Sequence, residues 1–600
     1  MAEQAAPMHR TDSDNTSDKV FTSLTGKIWR LRPADTRQEQ FIAQEFNLEP
    51  LMARVLAARQ IDPDKIAQYL DPKLRDLLPD PFSFKDMDKA AARIVQAIQN
   101  KEKVALFGDY DVDGATSTAL MARFLRFFGL EPTLHIPDRL LEGYGPNIQA
   151  FQNFIDQKHN LIITLDCGVL AFEQLQFAAD NKIDVVVLDH HMAAPELPIA
   201  VAVVNPNRLD ENGNYGYLAA VGVTFVTLFA VCRILKEQNI AIPDLREWLD
   251  LVALGTVCDV VPLVDLNRAF VTQGLKVMGK RQNAGLCALA DVTGIDQMPT
   301  AYHAGFVFGP RINAGGRIAS SSLGVELLSS TNQPRITEIA QKLDDLNRER
   351  QTMERQSVDE AMGMVARDIE KFSHVIVLGH RDWHAGVIGL IAARLKEHYQ
   401  RPVCIIALDE NGKGKASGRS IHGVDLGALV IQARMEGLIK EGGGHAMAAG
   451  FSLDEGSIPA LHQFLHDMLV KQFGPELPPP EINVDGIIAT HAVQMNVVQQ
   501  LQQLEPHGAG NAAPRLVLSP VRLHRCDIVK EKHLRLSVTD ASGQQRLSIM
   551  LFGQANTALH QTLAATSSQQ KIAILGSLKI NQWQGRQEAQ FIADDIALID

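Results

Sequence analysis

The chain has 600 residues, 46% of them hydrophobic and 21% charged, the balance of a folded protein with several cores rather than a disordered or fibrous one. A net charge of −12 excludes a protein that coats nucleic acid through bulk charge and leaves room only for a locally basic groove. The six cysteines (Cys167, Cys232, Cys258, Cys287, Cys404, Cys526) form no CxxC pair and no zinc or disulfide spacing, so a reducing cytosol is expected.

Taken in order, residues 1–22 are polar, carry no apolar signal core and read as a disordered tail. Residues 39–69 read as helical without visible chemistry, and 87–100 as an amphipathic helix with Ala91, Ile94 and Ile98 on one side. The stretch VALFGDYDVDGATST (104–118) follows. Its apolar run, 104–107, predicts a short buried strand; Gly108 breaks it, and a helix starts near Gly114. Between them stand Asp109, Asp111 and Asp113, at every second position. Three carboxylates on one short loop repel one another unless a cation neutralises them, which points to a hard-metal site rather than an acidic turn.

Runs at 133–136, 161–165, 185–188 and 201–204 predict further strands, separated by helical segments. Short, wholly apolar strands alternating with helices imply a parallel sheet with crossover helices. Ligands collect at the carboxyl ends of such strands. Here 161–165 ends in Asp166-Cys-Gly168 and 185–188 in Asp189-His190-His191, and Asp259 lies at the edge of the apolar stretch LGTVCDVVP (254–262). These groups are expected to converge with the first three aspartates. Carboxylates favour Mg²⁺ or Mn²⁺, and an imidazole among them favours Mn²⁺. The number of ligands exceeds what one octahedral ion needs, so two ions are expected, an arrangement suited to phosphoester hydrolysis. The run 218–235 is the most apolar, but Gly222, Thr224, Thr227 and Arg233 interrupt it, and a buried helix is a better reading than a membrane span.

The blocks GDYDVDG (108–114), DCG (166–168) and DHH (189–191), with the Asp259 segment, resemble the four motifs of the DHH phosphoesterase superfamily. That resemblance implies metal ligation by Asp111, Asp113, Asp166, His190 and Asp259. It places His191 on the scissile phosphate and Asp109 beside or partly within the ligand set. Some relatives carry a histidine four residues before the aspartate matching Asp111; here that residue is Phe107.

The blocks IPDRLLEGYG (136–145) and FGPRINAGGR (308–317) show neither strand nor helix periodicity, and resemble signatures of the RecJ exonucleases within the superfamily. Their arginines Arg139, Arg311 and Arg317 read equally as substrate ligands or as surface and capping residues. Residues 334–372 predict a long charged helix linking two globular parts. Strands at 374–378 and 403–407 begin a second α/β unit, containing ASGRS (416–420) and KEGGGHAMAAG (440–450). Three glycines before His445 let backbone amides approach a ligand, or make a tight turn. This layout resembles the DHHA1 domain that partners DHH domains. After the Pro-rich linker at 477–480, alternating runs at 533–539 and 547–551 and a long run at 572–580 predict an OB-like barrel. Arg522, Arg525, Lys530, Lys532 and Arg535 offer it a basic face, and Trp583 and Phe591 either stack bases or pack the core.

The expected fold is therefore α/β: a parallel-sheet DHH domain (40–330), a helical linker (334–372), a DHHA1 domain (373–475) and an OB-like barrel (481–600). The resemblance implies a metal-dependent exonuclease, using two Mn²⁺ or Mg²⁺ ions to degrade single-stranded DNA from the 5′ end to mononucleotides in recombination and repair. A 5′ exonuclease needs donors for a terminal phosphate, and Arg139, Ser417, Arg419 and Arg311 or Arg317 are the candidates. A phosphodiesterase of short oligonucleotides and a non-catalytic DNA-binding scaffold are the alternatives; a pyrophosphatase has no use for a strand-binding barrel. The resemblance also implies single-strand-binding protein and a helicase as partners. A cytoplasmic monomer without membrane association is expected.

Overall fold

Strands of Val, Ile and Leu without polar alternation need cover on both faces of their sheet. In the computed structural model, which describes residues 20–138, 142, 143, 145–566, 570–583 and 585–599, five of them form one parallel sheet. Its order is Thr133–His135, Val104–Gly108, Leu161–Leu165, Asp184–Leu188, Ala202–Val204. Alternate residues serve opposite cores. Leu106, Ile163 and Val186 pack with the helices Met87–Asn100, Val112–Phe127 and Ala220–Glu237, whereas Ala105, Ile162 and Val187 pack with Ile148–Asp156 and Phe172–Asp180. From Val104–Gly108 the chain goes first to the edge strand Thr133–His135, then back across to Leu161–Leu165. The switch point thus lies between Val104–Gly108 and Leu161–Leu165, where the strand ends leave a crevice.

Ala220–Glu237 is a buried helix, and among the described residues no helix is long and apolar enough to cross a membrane. The block at 308–317, expected to be irregular, is helical: a π-helix, Ala304–Phe308, runs into the α-helix Gly309–Ile318 with Pro310 in its first turn. The helix Gln333–Arg367 has 35 residues, about 52 Å at 1.5 Å per residue. Its first half buries Ile336, Ile339 and Leu343 in the core of the parallel-sheet domain. Its second half buries Ala361 and Val365 in the next domain, so it is a shared wall rather than a spacer. That domain has a sheet ordered Glu441–His445, Ala448–Asp454, Lys413–Arg419, Val403–Leu408, Ile376–His380. The triple glycine 442–444 lies in its edge strand, not in a turn.

Of the described residues, those within 72–478 and 506–511 make one compact unit; those within 20–71, 479–505 and 512–599 make a second. In the second unit, Leu516–Val529, His533–Asp540, Arg546–Leu551, Arg586–Ile599 and Lys571–Trp583 close into a five-stranded barrel, Leu516–Val529 pairing with the last of them. Two expectations change here. Val20–Thr22, assigned to the disordered tail, is a strand paired with Ile28–Leu31, which pairs in turn with Glu481–Val484. Residues 40–71, assigned to the DHH domain, pack instead on the barrel, with Ile42, Met52, Val55 and Leu56 in one cluster with Leu516 and Leu534.

Candidate metal centre

Asp109, Asp111 and Asp113 occupy the turn from Val104–Gly108 into Val112–Phe127, at the switch point. Asp111 is the N-cap of that helix, and its Oδ1 accepts from Asp113 N (2.9 Å) and Gly114 N (3.1 Å). Asp113 is buried against a second helix start: Oδ2 accepts from Ala220 N (2.6 Å) and Oδ1 from Val221 N (2.9 Å). Helix Leu249–Cys258 closes over it at Gly255, where a Cβ would stand 2.9 Å from Asp113 Oδ1 and 2.3 Å from Thr116 Oγ1; only glycine fits.

Asp166 follows the neighbouring strand with φ +63°, a conformation that side-chain-bearing residues seldom adopt. Oxygens of Asp109, Asp111 and Asp166 lie within 4.8 Å of one another. Asp166 Oδ1 is 3.3 Å from His190 Nε2, which is 3.6 Å from Asp259 Oδ2, and Asp113 joins His190 and Asp259 in a second group within 4.8 Å. All six aspartates and both histidines expected at the centre are therefore brought together, Asp189 through His191 Nδ1 at 2.8 Å.

The buried atoms test whether a cation fits. Asp166 Oδ1, His190 Nε2 and Asp259 Oδ2 are buried, face one another and have no hydrogen-bond partner among the described residues. Protein interiors seldom leave three such atoms unsatisfied. His190 Nδ1 lies 3.0 Å from the Leu218 carbonyl, a bond that places the proton on Nδ1 and leaves Nε2 a lone pair. Burial and the neighbouring His191 hold His190 below the usual imidazole range, so its approaches to Asp166 and Asp259 are not ion pairs. Oxygen donors with one neutral imidazole suit Mn²⁺ or Mg²⁺.

Without a cation the carboxylates crowd. Burial and Asp111 push Asp113 up to about 7, despite its two backbone donors. Burial, then Asp113 and Asp111, push Asp259 up to about 9; burial and four aspartates raise Asp166 well above the carboxylate range. His191 goes the other way. Burial opposes its charge, but Asp189 Oδ1, 2.8 Å from Nδ1, raises it above the usual imidazole range. The site thus sets a His190 held below the ordinary imidazole range beside a His191 held above it.

Sequence reasoning placed Asp189 at the centre but missed its role, and that of two asparagines, in holding these side chains. Asp189 accepts from Val169 N (3.0 Å), His190 N (2.7 Å) and His191 N (3.1 Å) besides His191 Nδ1. Asn205 Nδ2 donates to the His191 carbonyl (2.8 Å) and Asn207 Nδ2 to that of His190 (2.5 Å). The signal was the pair of asparagines in NPN (205–207), directly after a strand. Phe107 is no ligand: it is buried and stacks on His135 at 5.1 Å between ring centroids.

The other expected site residues are scattered. Arg139 lies outside the described residues. Arg311 donates to Asp344 (2.9 Å) and the Val307 carbonyl (2.8 Å), which ties it to the long helix. Arg317 donates to the Gly386 carbonyl (2.8 Å). Arg419 Nη1 donates to Ser417 Oγ (3.1 Å), and both stand against Gly389, in the first turn of Ile388–Tyr399. His445 is exposed on the edge strand. On the barrel, Arg525 (2.5 Å) and Arg535 (3.4 Å) share Asp527, while Lys530 and Lys532 are exposed at the hairpin turn beyond it, and Arg522 is half-buried. Phe591 belongs to the core, not to a stacking surface, and the Trp583 side chain is outside the described set.

The raised carboxyls have a consequence for stability. A carboxyl that keeps its proton in the fold but loses it in the unfolded chain destabilises the fold as pH rises above the ordinary carboxylate range, until its folded value is passed. In chelator the melting temperature is therefore expected to fall with pH toward about 9. Bound Mn²⁺ requires the ionised carboxylates, so the gap between Mn²⁺-loaded and chelated protein widens over the same range. Parallel melting profiles in Mn²⁺ and chelator would contradict this.

Comparison with known proteins agrees with the geometry. Residues 103–256 match the DHH family, N-terminal domain; 372–471 match the DHHA1 domain, and 484–595 the RecJ OB domain. The single-stranded-DNA-specific exonuclease RecJ of Escherichia coli is 34% identical over 567 residues, 92% of this chain and 96% of that protein. Its namesake in Bacillus subtilis is 33% identical over 578 residues, 95% of this chain and 71% of that protein. The crystal structure of RecJ in complex with Mn²⁺ from Thermus thermophilus superposes with a TM-score of 0.79 at 26% identity, covering 95% of this chain and 80% of that one. With a third of its residues shared along nearly all of its length, the chain belongs to the RecJ family.

Proposed function

We propose that this protein is a metal-dependent exonuclease that degrades single-stranded DNA from its 5′ end to mononucleotides, in recombination and repair. The observation that carries the reading is the set of three buried, unpartnered donors, Asp166 Oδ1, His190 Nε2 and Asp259 Oδ2, at the switch point of a chain whose relatives are named single-stranded-DNA-specific exonucleases. Divalent ions held by Asp111, Asp113, Asp166, His190 and Asp259, with Asp109 at the edge of the set, would supply an activated water and neutralise phosphate oxygens. The chain's own groups do the rest. His191, its Nδ1 fixed by Asp189, contacts the scissile phosphate. Asp113 is kept in register by the amides of Ala220 and Val221, so the site is organised before substrate arrives.

The direction of attack is assigned to a terminal-phosphate pocket of Arg139, Ser417, Arg419 and Arg311 or Arg317, with Ser417 and Arg419 beside the first turn of Ile388–Tyr399; His445 is assigned to substrate binding. Arg419→Ala is expected to lower the preference for 5′-phosphate over 5′-hydroxyl ends by roughly 10-fold or more, the worth of a charge-assisted hydrogen bond. Equal discrimination by variant and parent would place the pocket elsewhere. The barrel, through Arg522, Arg525, Lys530, Lys532 and Arg535, is assigned a grip on single-stranded DNA. A cytoplasmic monomer that meets single-strand-binding protein and a helicase completes the proposal; the unpaired cysteines are in keeping with a reducing compartment.

Single strands labelled at either end, incubated with Mn²⁺, Mg²⁺ or chelator, test the reading. The 5′ label is expected to appear first as mononucleotide, and only with metal. Release of the 3′ label first, or cleavage in chelator, would overturn it.

A further inference from the structure

Two of the expected ligands hang on one short strap of backbone, 217–221. Its Leu218 carbonyl lies 3.0 Å from His190 Nδ1, and its Ala220 and Val221 amides donate to Asp113 (2.6 and 2.9 Å). Asp259, which shares a 4.8 Å group with both, comes from elsewhere in the chain, at the end of helix Leu249–Cys258.

The backbone that leaves Asp259 is strained. Val260, a β-branched residue, has φ +62°, and Asp265 has φ +40°. Such conformations persist only where their surroundings over-determine them. The helix that follows, Asp265–Gly279, starts without a side-chain cap from Val264. Its second and third residues supply the anchorage instead. Leu266 N donates to the Tyr217 hydroxyl (3.4 Å). Asn267, fully buried, donates from Nδ2 to two carbonyls, those of Tyr217 (2.6 Å) and Pro262 (3.0 Å). Only the NH₂ end of the amide can donate twice, so these two acceptors fix its orientation. Its Oδ1 is left buried without a hydrogen-bond partner among the described residues. Beyond Pro262, Leu263 N donates to the Ala509 carbonyl (2.8 Å), which ties the turn to a loop that carries no expected ligand.

We infer that Asn267 is a positioning residue for the ion that Asp113, His190 and Asp259 would share, an inference that rests on the two-ion reading of the centre. Its amide joins the strap that holds Asp113 and His190 to the strained turn that follows Asp259. One side chain thereby sets the spacing of ligands drawn from separate parts of the chain. The group of Asp109, Asp111 and Asp166 stands instead on the ends of Val104–Gly108 and Leu161–Leu165. Loss of Asn267 is therefore expected to weaken one ion and spare the other.

The test titrates chelator-stripped protein with Mn²⁺ and follows the free ion by electron paramagnetic resonance. Asn267→Leu keeps the branched outline of the side chain and donates nothing. It is expected to weaken one of two bound equivalents by about 10-fold, the lower end for groups that orient ligands, and to leave the other at parental affinity. In an Asp113→Asn background, where one ion remains, adding Asn267→Leu is expected to change nothing further. The Mn²⁺ concentration that half-saturates hydrolysis rises by the same factor in the single variant. Should Asn267→Leu not fold, Asn267→Ser, whose hydroxyl can serve only one of the two carbonyls, takes its place in every comparison. Parental affinity at both equivalents, an equal loss at both, or an unmoved half-saturating concentration overturns the role of Asn267. A parent that binds fewer than two Mn²⁺ overturns the two-ion reading itself, and the inference with it.

Discussion

Asp113→Asn is expected to reduce hydrolysis in Mn²⁺ by at least ~10³-fold while circular dichroism shows the fold retained. Asp113 lies in the middle of the site: its oxygens accept from two helix-start amides, and it shares a 4.8 Å group with His190 and Asp259. An amide of the same shape keeps the volume beside Gly255, but it turns an NH₂ toward one of the Ala220 and Val221 amides and supplies no negative charge to a cation. Loss of a catalytic ion removes several kcal/mol of transition-state stabilisation, since each 1.36 kcal/mol is about tenfold in rate. A variant with a tenth of parental activity would rule out Asp113 as a ligand.

The second large effect belongs to a residue that touches no reacting atom. Asp189→Asn leaves one carbonyl oxygen where the carboxylate accepts four hydrogen bonds, from three backbone amides and His191 Nδ1. The new NH₂ group faces donors, and the histidine pair loses its orientation. Removing a group that orients ligands typically costs 10- to 100-fold in metal affinity or activity. We expect a fall of about that size in Mn²⁺ affinity, together with lower kcat. Parental Mn²⁺ affinity and kcat in this variant would show that the loop is positioned without Asp189.

The candidate centre was legible because its signals are local: apolar runs too short and too uniform for anything but buried parallel strands, two of them followed at once by Asp166 and Asp189 and a third by Gly108 and Asp109. What sat behind the ligands was not legible, because Asp189 and the two asparagines work through backbone groups whose positions only the fold defines. The helix Gly309–Ile318 was hidden for a different reason. Gly309, Pro310, Gly315 and Gly316 are poor helix formers, yet Gly309 packs on Cys258, Gly315 on Leu343 and Gly316 on Tyr110, where a side chain would not fit without movement. Tertiary contact outweighs propensity there. The N-terminal segment was misassigned because its strand partners lie far along the chain: Ile28 pairs with Glu481. The consequence is practical. Deleting everything after Pro480 to test the barrel would strand Ile42, Met52 and Leu56 without their core, so charge reversal at Lys530 and Lys532 is the cleaner probe.

The central claim is that His190 and the carboxylates gathered at the switch point, Asp259 from the end of a helix among them, hold a pair of divalent ions. Titration of chelator-stripped protein with Mn²⁺, followed by electron paramagnetic resonance, tests it most directly. The account predicts two equivalents bound per chain, with the hyperfine pattern of an exchange-coupled pair, and at most one uncoupled ion in Asp113→Asn. Mn²⁺ that stays free in solution, or an identical coupled signal from the variant, would contradict it.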